Sequence, residues 1–585
     1  GGDALAGSLS MCGIAGVVYD RPGPRPGLPD LLRAMSLAHQ GRGPDGLDTW
    51  VDPTGRVGLG AVRLAVVGNR ERGHQPISDG WGGRLVFNGQ LYRPAQVMAS
   101  LGGAFHPGES DGTVLLRLLQ RRGVDGLRGV GAMFSLALFD PATGEVLLAR
   151  DAWGQKPLYL CRIEGGHAFA STLVALHHAA GALRIRPEAM LECLIFKSVG
   201  GNHSAFQGVE QLPAGGWMRI GPGGSVHQGR WLDIPDPRDE APQPERLRAV
   251  LDDAIASQCP PEHRPAIFLS GGLDSSIVAT VASRQPTPAP RVLTIGYDVG
   301  GWEDEHRLAV RLAQGLGLEH RAIILRVDEV PDLLRESAVA LEDPVHDPVT
   351  VPTLALSRAA AAETKVALTG DGSDEFWGDY ERFDQATDDL DAYLYRTMVF
   401  EPRDLGLDRI PSSYLDSVAR PLAGAMPALD RILRLETANR LRNYHLSRLD
   451  KLSMSTGLEA RSPFLEIFVT SLAMSLTAAA KRSGGRPKGM LIDAFAADLP
   501  GWLVQRRKQA FTVPVAAWLA GGLGECCWDT LASPNAFVRG LADVGRWQRA
   551  FGEDSGNTAL AMRIWSLLHL EIWYQSFGRI MERKA

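Results

Sequence analysis

The stretch whose reading decides the fold is Ser270-Gly271-Gly272-Leu273-Asp274-Ser275-Ser276. An apolar run, Pro265 to Leu269, precedes it, and an Ala/Val-rich run, Ile277 to Ala282, follows it. That order predicts a strand, a small-residue loop and a helix. Such a loop lets backbone N–H groups approach a phosphate closely, and the helix N-terminus behind it favours negative charge. It lacks the lysine of the common GxxxxGK(S/T) loop, so it is a different phosphate cradle. Asp274 within it points to bound Mg2+, because a carboxylate beside bare phosphates would repel them. Taken alone, the heptapeptide also fits an ordinary Gly/Ser turn. Its surroundings separate the two readings.

Downstream, Ala266–Leu269, Val292–Gly296 and Val366–Thr369 read as short buried strands, with helix-like Glu305–Leu316 and Leu354–Glu363 between them. Strand–helix alternation predicts a doubly wound parallel sheet, whose ligands bind outside the carboxyl ends of the strands, where the Ser270 loop falls. From about Gln385 the chain reads as largely helical. Upstream, from Met11 to about Leu232, the pattern is mostly β. Leu85–Phe87, Met133–Phe139 and Glu145–Ala149 are short apolar or alternating runs, and the last two flank a hairpin-type turn, Asp140-Pro-Ala-Thr-Gly144. Residues 233–245 (DIPDPRDEAPQPE) are rich in proline and charge and read as a linker. The expected organisation is therefore domains at 11–232 and 246–585. Residues 1–10 (GGDALAGSLS) read as a remnant ahead of a natural start at Met11.

Bulk properties exclude several classes. At 585 residues the chain is too long for one core. A formal net charge of −6 gives no argument for nucleic acid or an acidic membrane surface. Six cysteines in so long a chain form no disulfide framework, and the adjacent Cys526 and Cys527 lack zinc-ligand spacing. No apolar run is long enough to span a bilayer, and the start has no signal-peptide features. No membrane partner is expected, and a reducing cytoplasm fits best.

A second Gly-rich turn, Thr369-Gly370-Asp371-Gly372-Ser373-Asp374-Glu375-Phe-Trp-Gly-Asp-Tyr380, also follows a strand. Asp274 and Asp374, at two strand ends, could hold one Mg2+ and a pyrophosphate between them. Further along lie Asp450-Lys-Leu-Ser-Met454, Leu458-Glu-Ala-Arg-Ser-Pro-Phe-Leu465, Lys488, Arg507-Lys-Gln-Ala-Phe511 and an aromatic-rich close, Ile564-Trp-Ser-Leu-Leu. With Leu293–Gly296, Asp304-Glu305 and Asp347-Pro348, this ordered set resembles the asparagine synthetase family, whose synthetase domain is a pyrophosphate-loop ATPase. The resemblance implies that a carboxylate attacks the α-phosphate of ATP to give an acyl-adenylate and pyrophosphate. It implies Mg2+ on Asp274 and Asp374. Nucleotide phosphates would lie against Ser270, Gly271, Gly272, Asp274, Ser275, Ser276 and Gly370, with Lys488 nearby and Lys508 stabilising charge at the reacting centre. Arg461 is left between a structural ion pair and a substrate-carboxylate contact.

In the first half, Met11-Cys12-Gly13-Ile14-Ala15-Gly16 resembles the start of the class II glutamine amidotransferases, whose fold is an αββα N-terminal-nucleophile (Ntn) sandwich. There the initiator Met is removed, the Cys thiolate attacks the glutamine amide and the freed α-amine, titrating near pH ~8, is the base. The resemblance places Arg63 on the glutamine α-carboxylate, Asn88 and Gly89 in the oxyanion hole, and Asp111 on the substrate ammonium. Arg42-Gly-Pro-Asp45 and Ala149–Tyr159 are further landmarks of structural character. Residues ahead of Cys12 acylate its amine, so glutaminase activity is expected only once residues 1–11 are removed.

The chain departs from the family at several points. The usual Asn-Gly-Glu is Asn88-Gly89-Gln90, and a neutral Gln90 weakens ammonium binding. A His before the Arg63 segment is Ala61. The usual Ser-Gly-Glu-Gly is Thr369-Gly370-Asp371-Gly372, which shortens by one methylene an acid expected near the nucleophile's path. Pro-Phe-Leu-Asp ends as Pro463-Phe-Leu-Glu466. The reading favoured is glutamine-dependent amidation of a substrate carboxylate, with ATP and Mg2+ as cofactors and a homodimer compatible with the sequence. The alternatives are an amide-forming cyclase of the β-lactam or lasso-peptide type, which uses an internal amine, and a non-catalytic scaffold.

Overall fold

The computed structural model describes residues 13–583 apart from 44–45, 65–73, 107–108, 233, 239, 261–262, 287, 300–303, 387–388, 423–425 and 507–511. Cys12 and Lys508 lie outside the described residues. The first twelve strands are β1 (Gly13–Tyr19), β2 (Gly46–Val51), β3 (Val57–Arg63), β4 (Ile77–Ser78), β5 (Arg84–Leu91), β6 (Ala132–Phe139), β7 (Val146–Arg150), β8 (Tyr159–Ile163), β9 (Gly166–Ala170), β10 (Val209–Gln211), β11 (Gly216–Ile220) and β12 (Val226–Arg230). They form two antiparallel sheets, β10-β8-β9-β1-β3-β2 and β12-β11-β7-β6-β5-β4. Alternate side chains of each sheet point inward. Ile14, Val18, Leu59, Val86, Ala137, Leu148 and Phe169 make the apolar layer between them. The helices Leu28–Leu37 and Leu173–Ala180 cover the outer face of the first sheet, and Asp111–Arg122 packs on the second. This is the expected αββα sandwich.

The remaining strands are β13 (Ala266–Phe268), β14 (Arg291–Tyr297), β15 (Glu319–Leu325), β16 (Val366–Leu368) and β17 (Glu459–Arg461). All pair in parallel, in the order β15-β14-β13-β16-β17. Three of the five were legible as apolar runs, because strands covered on both faces read as near-continuous Val, Ile and Leu. The other two were not. β15 is a largely exposed edge whose charges mask the pattern, and β17 is the buried tripeptide Glu-Ala-Arg. The chain leaves β13 toward β14 on one side, and β16 lies on the other. That reversal opens a crevice between β13 and β16 at their carboxyl ends, where doubly wound sheets bind ligands.

The two halves meet through buried polar contacts. Asp450 accepts from Arg42 at 2.9 Å and from Lys156 at 3.0 Å. Burial pushes its carboxyl up, but the two cations outweigh this and hold it below the usual range. Removing one partner of such a cluster strands a buried charge. Trp153 packs edge-on against Phe376 with centroids 4.7 Å apart, and its indole N–H donates to Thr470. The two family landmarks around Arg42 and Lys156 thus clamp the halves together. Among the described residues, no helix is long and apolar enough to cross a membrane.

Candidate functional site

The crevice is built by two loops in close approach. The Ser270 loop links β13 to the helix Leu273–Ala282, and the Thr369 loop links β16 to the short helix Ser373–Trp377. A Cβ on Gly370 would fall 2.8 Å from the Cβ of Asp274, so only glycine lets the loops approach this closely. Within the first loop, Ser270 N–H donates to Ser275 Oγ at 3.2 Å and Gly272 N–H to Ser270 Oγ at 3.3 Å. Ser276 Oγ donates to Gly272 O. Arg506 donates to Gly271 O at 3.2 Å, which brings a cation to the loop's outer side.

Asp274 and Asp374 converge on one ammonium. Lys488 Nζ lies 2.7 Å from both Asp274 oxygens, 2.5 Å from Asp374 and 3.5 Å from Asp379. Burial works against the lysine's charge, but Asp274, Asp374 and Asp379 outweigh it and hold its pKa far above the ordinary value. Ser373 Oγ donates to Asp274 at 2.6 Å. Among the described residues, no group of three or more His, Cys, Asp or Glu side chains is placed to hold a metal unaided. Mg2+ keeps several waters and takes one or two carboxylates plus phosphates. Asp274 and Asp374 therefore suit Mg2+ arriving with a nucleotide.

Asp371 points to a different set of partners. It lies 3.7 Å from Arg448, whose other nitrogen pairs with Asp347. Burial raises the Asp371 carboxyl, with Arg448 opposing. Beside it, Glu375 is pushed up to about 7, by burial first and then by Asp374. It accepts from Tyr380 Oη at 2.6 Å and lies 3.4 Å from His445 Nε2. Sequence reading missed Ser373, Glu375, Asp379, Tyr380, Arg448 and His445 as site members. The Thr369–Tyr380 motif carried four of them, but Arg448 and His445 come from a distant helix without an evident signal.

In the sandwich, Gly13 pairs with Val62, which puts the start of β1 beside Arg63. Ile14 N–H donates to Ser171 Oγ at 3.1 Å. Asn88, on β5, places Nδ2 3.4 and 3.3 Å from the hydroxyls of Ser135 and Ser171, while its buried Oδ1 has no partner. A half-turn of the amide lets both hydroxyls donate to Oδ1 and frees Nδ2 for a substrate oxygen. Gly89 has φ +154°, and a Cβ there would strike Met133 O at 2.0 Å. Asp111 opens the helix Asp111–Arg122. Its oxygens accept from Gln90 Nε2 at 3.1 Å, Leu91 N–H at 3.0 Å and Gly112 N–H at 2.9 Å. Burial raises its carboxyl, against the pull of those backbone donors. Cys12 lies outside the described residues, as does Lys508 in the other half.

Arg461 connects the two regions. Its Nε donates to Glu459 at 2.7 Å, one terminal nitrogen donates to Gln258 O at 2.9 Å and the other to Gln90 Oε1 at 3.3 Å. Of the two roles left open for it, these contacts describe the ion pair. Thr369 N–H donates to Arg461 O at 2.9 Å. Hydrogen bonds thus run from Asp111 through Gln90 and Arg461 to the Thr369 loop.

A family profile described as asparagine synthase matches residues 246–575, and one described as glutamine amidotransferase domain matches residues 11–231. A Mycobacterium tuberculosis protein, provisionally named asparagine synthetase (glutamine-hydrolysing), is 29% identical over 94% of this chain and 93% of its own. Asparagine synthetase (glutamine-hydrolysing) 1 of Bacillus subtilis is 23% identical over 96% of each. Amidase chry2 of Gibberella zeae is 28% identical over 59% of this chain and 54% of its own.

Proposed function

The chain belongs to the asparagine synthase family of ATP-dependent carbon–nitrogen ligases with an amidotransferase domain, and from that premise we propose that it adenylates a substrate carboxylate and amidates it with ammonia taken from glutamine. The observation that carries the reading is the convergence of Asp274 and Asp374 on Lys488 at the mouth of the β13–β16 crevice. A carboxylate oxygen attacks the α-phosphorus of ATP. The bond to the β-phosphate oxygen breaks and pyrophosphate leaves. Ammonia then attacks the acyl carbon, loses a proton and expels AMP. Mg2+ held by Asp274 and Asp374 would neutralise phosphate charge. In this reading, backbone and hydroxyl donors of Ser270–Ser276 and Gly370 bind the leaving pyrophosphate, and Lys488 and Lys508 offset the remaining charge. Asp371 stands where the nucleophile approaches.

In the other half the proposed nucleophile is Cys12, once freed as the N-terminus. Arg63 and Asp111 hold the two ends of glutamine's backbone with Gln90 beside them, and Asn88 and Gly89 supply the oxyanion donors. The test is pyrophosphate release from ATP with ammonia across aspartate, other small diacids and a precursor peptide, joined to glutamate release by protein beginning at Cys12. Substrate-dependent pyrophosphate and glutamine-supported product are expected. Product formed without ammonia by glutamine-inert protein overturns the reading. One observation favours a second reading, intramolecular ring closure: the Gln90 amide donates to Asp111 and takes one of the oxygens a glutamine ammonium would use. Product mass separates the two. Amidation exchanges hydroxyl for a nearly isobaric amino group, whereas ring closure removes a whole water.

A further inference from the structure

Beside Asp371 lies a cluster of cations that the proposed chemistry does not use. Three of them surround the Tyr444 ring: Arg440 Cζ is 4.7 Å from its centroid, and Arg448 Cζ and Lys197 Nζ are each 5.9 Å away. His445 stacks edge-on beside the same ring, and Arg382 sits over Tyr380 at 3.8 Å. The side chains of Arg382, Arg440 and Asp371 are each 22% exposed and that of His445 16%, so a solute can reach them although most of their surface is covered.

The charges here are unevenly balanced. Arg448 pairs with Asp347, Arg382 with Glu436 at 2.6 Å, and Arg440 leans on the same Glu436 at 3.8 Å. The Lys197 ammonium has no ion pair or hydrogen bond among the described residues beyond the Tyr444 ring face. Burial, and after it Arg440, bring its ammonium down to about 8. Asp347 pulls the other way, but that carboxylate is already paired with Arg448, so Lys197 is only partly compensated.

Two unusual backbone features put these groups there. Residues Glu436–Leu446, which carry Arg440, Tyr444 and His445, form a π-helix of 11 residues. Such helices are rare, short and concentrated at functional sites. Lys197 caps the helix Pro187–Phe196 at φ +71°, a left-handed position that ordinarily falls to glycine or asparagine. Its N–H and C=O are both fixed, by Cys193 O at 2.7 Å and His346 N–H at 2.8 Å. Strained positions that the surroundings hold in place cluster at ligand sites. Lys197 also comes from the stretch matched by the amidotransferase profile, so the cation cluster is assembled from both halves.

We propose that Lys197 and Arg440 bind a second anionic group of the acyl substrate, remote from the carboxylate that is activated. Asp371 lies 3.7 Å from Arg448, and among the described residues no ion pair joins it to Lys197 or Arg440, so the second group would sit beyond the reacting end. The substrate class is therefore an elongated dianion, longer than a four-carbon diacid. The inference rests on the proposed adenylation for which carboxylate reacts, but the pocket is tested separately.

The full chain is treated with an amine-acylating reagent at pH 8, and Lys197 modification is read by peptide mass spectrometry. The protectants are the diacids succinate to suberate and monocarboxylates of matched length. Diacids are expected to protect Lys197 at concentrations about ten-fold lower than monocarboxylates, about 1.4 kcal/mol, with longer diacids better than succinate. Arg440→Met is expected to abolish that preference and Arg440→Lys to keep part of it, both at unchanged melting temperature. Equal protection by mono- and diacids, or a preference untouched in both Arg440 variants, overturns the proposal. Selective protection without pyrophosphate release from any acid would uphold the pocket and remove the adenylation reading. Monoacid adenylation without protection would do the reverse.

Discussion

Each half of the molecule places carboxylates at its candidate site, and the two halves balance them by opposite means. In the crevice, Asp274 and Asp374 share the full charge of Lys488. In the sandwich, the hydrogen-bond donors on Asp111 among the described residues are neutral, the Gln90 amide and two backbone N–H groups. In the proposed function, a carboxylate pair drawn together by a cation would exchange it for a metal–phosphate complex, which brings both charges. A carboxylate held by neutral dipoles keeps its own charge for a cationic ligand, and its strength depends on whether its neighbour ionises. The first site is insensitive to small changes in its surroundings, and the second is tunable by one side chain.

The largest effect is expected where that compensation is removed. Lys488→Met removes the ammonium that Asp274, Asp374 and Asp379 share. Ammonia-dependent pyrophosphate release should fall by about 10²–10³-fold, the usual cost of losing one group aimed at developing charge. Thermal stability should fall too, and millimolar Mg2+ should restore more of it in the variant than in the parent, because like charges at this distance attract a replacement cation. Glutaminase activity of protein beginning at Cys12 should stay within a few-fold. An undiminished rate would mean that the lysine is only a spacer between the two loops and would break the contrast.

Much of this contrast was legible in the residues. Ser270–Ser276 and Thr369–Tyr380 announced themselves because close backbone approach demands glycine and metal chemistry demands acid, so function and local geometry wrote the same letters. β13, β14 and β16 were legible for a different reason: strands buried on both faces admit little besides aliphatic side chains. Hidden were the features that depend on what lies opposite in space. Arg461 looks alike as a structural or a substrate contact until Glu459, Gln258 and Gln90 are seen around it. Lys197 has no motif at all. Glu436–Leu446 has an ordinary helical composition that gives no sign of its π winding. Ser135 and Ser171, which pin Asn88, lie 47 and 83 residues from it.

The second test sharpens the neutral side of the comparison. Gln90→Glu places a carboxylate beside Asp111, with Arg461 already 3.3 Å from the position its oxygen would take. In protein beginning at Cys12, KM for glutamine should fall about ten-fold at pH 8, worth about 1.4 kcal/mol. At pH 6 the gain should shrink. Burial already raises Asp111, and two adjacent carboxylates share a proton as the pH falls. Ammonia-dependent amidation should not change. An unaltered KM at both pH values would show that Gln90 faces Arg461 alone and has no part in glutamine binding.

The smallest effect concerns a carboxylate whose neutral donors are outweighed by burial. Glu375 is pushed up to about 7 from an ordinary 4.5, by burial and by Asp374, while Tyr380 donates to it. Between those values the native chain keeps a proton that the unfolded chain releases, so fewer protons are bound on unfolding and stability declines as pH rises. The stabilisation is fully present below pH 4.5 and is lost as pH climbs through about 7. Glu375→Gln keeps the acceptor for Tyr380 but cannot ionise. The melting temperature of the parent relative to Glu375→Gln should therefore drop by a few degrees between pH 5 and pH 8, in the absence of nucleotide. A constant difference would mean that Glu375 is ionised throughout, paired with His445 at 3.4 Å. The crevice would then balance all of its acids with cations, and Glu375 would join Asp274 and Asp374 on the charged side of the comparison.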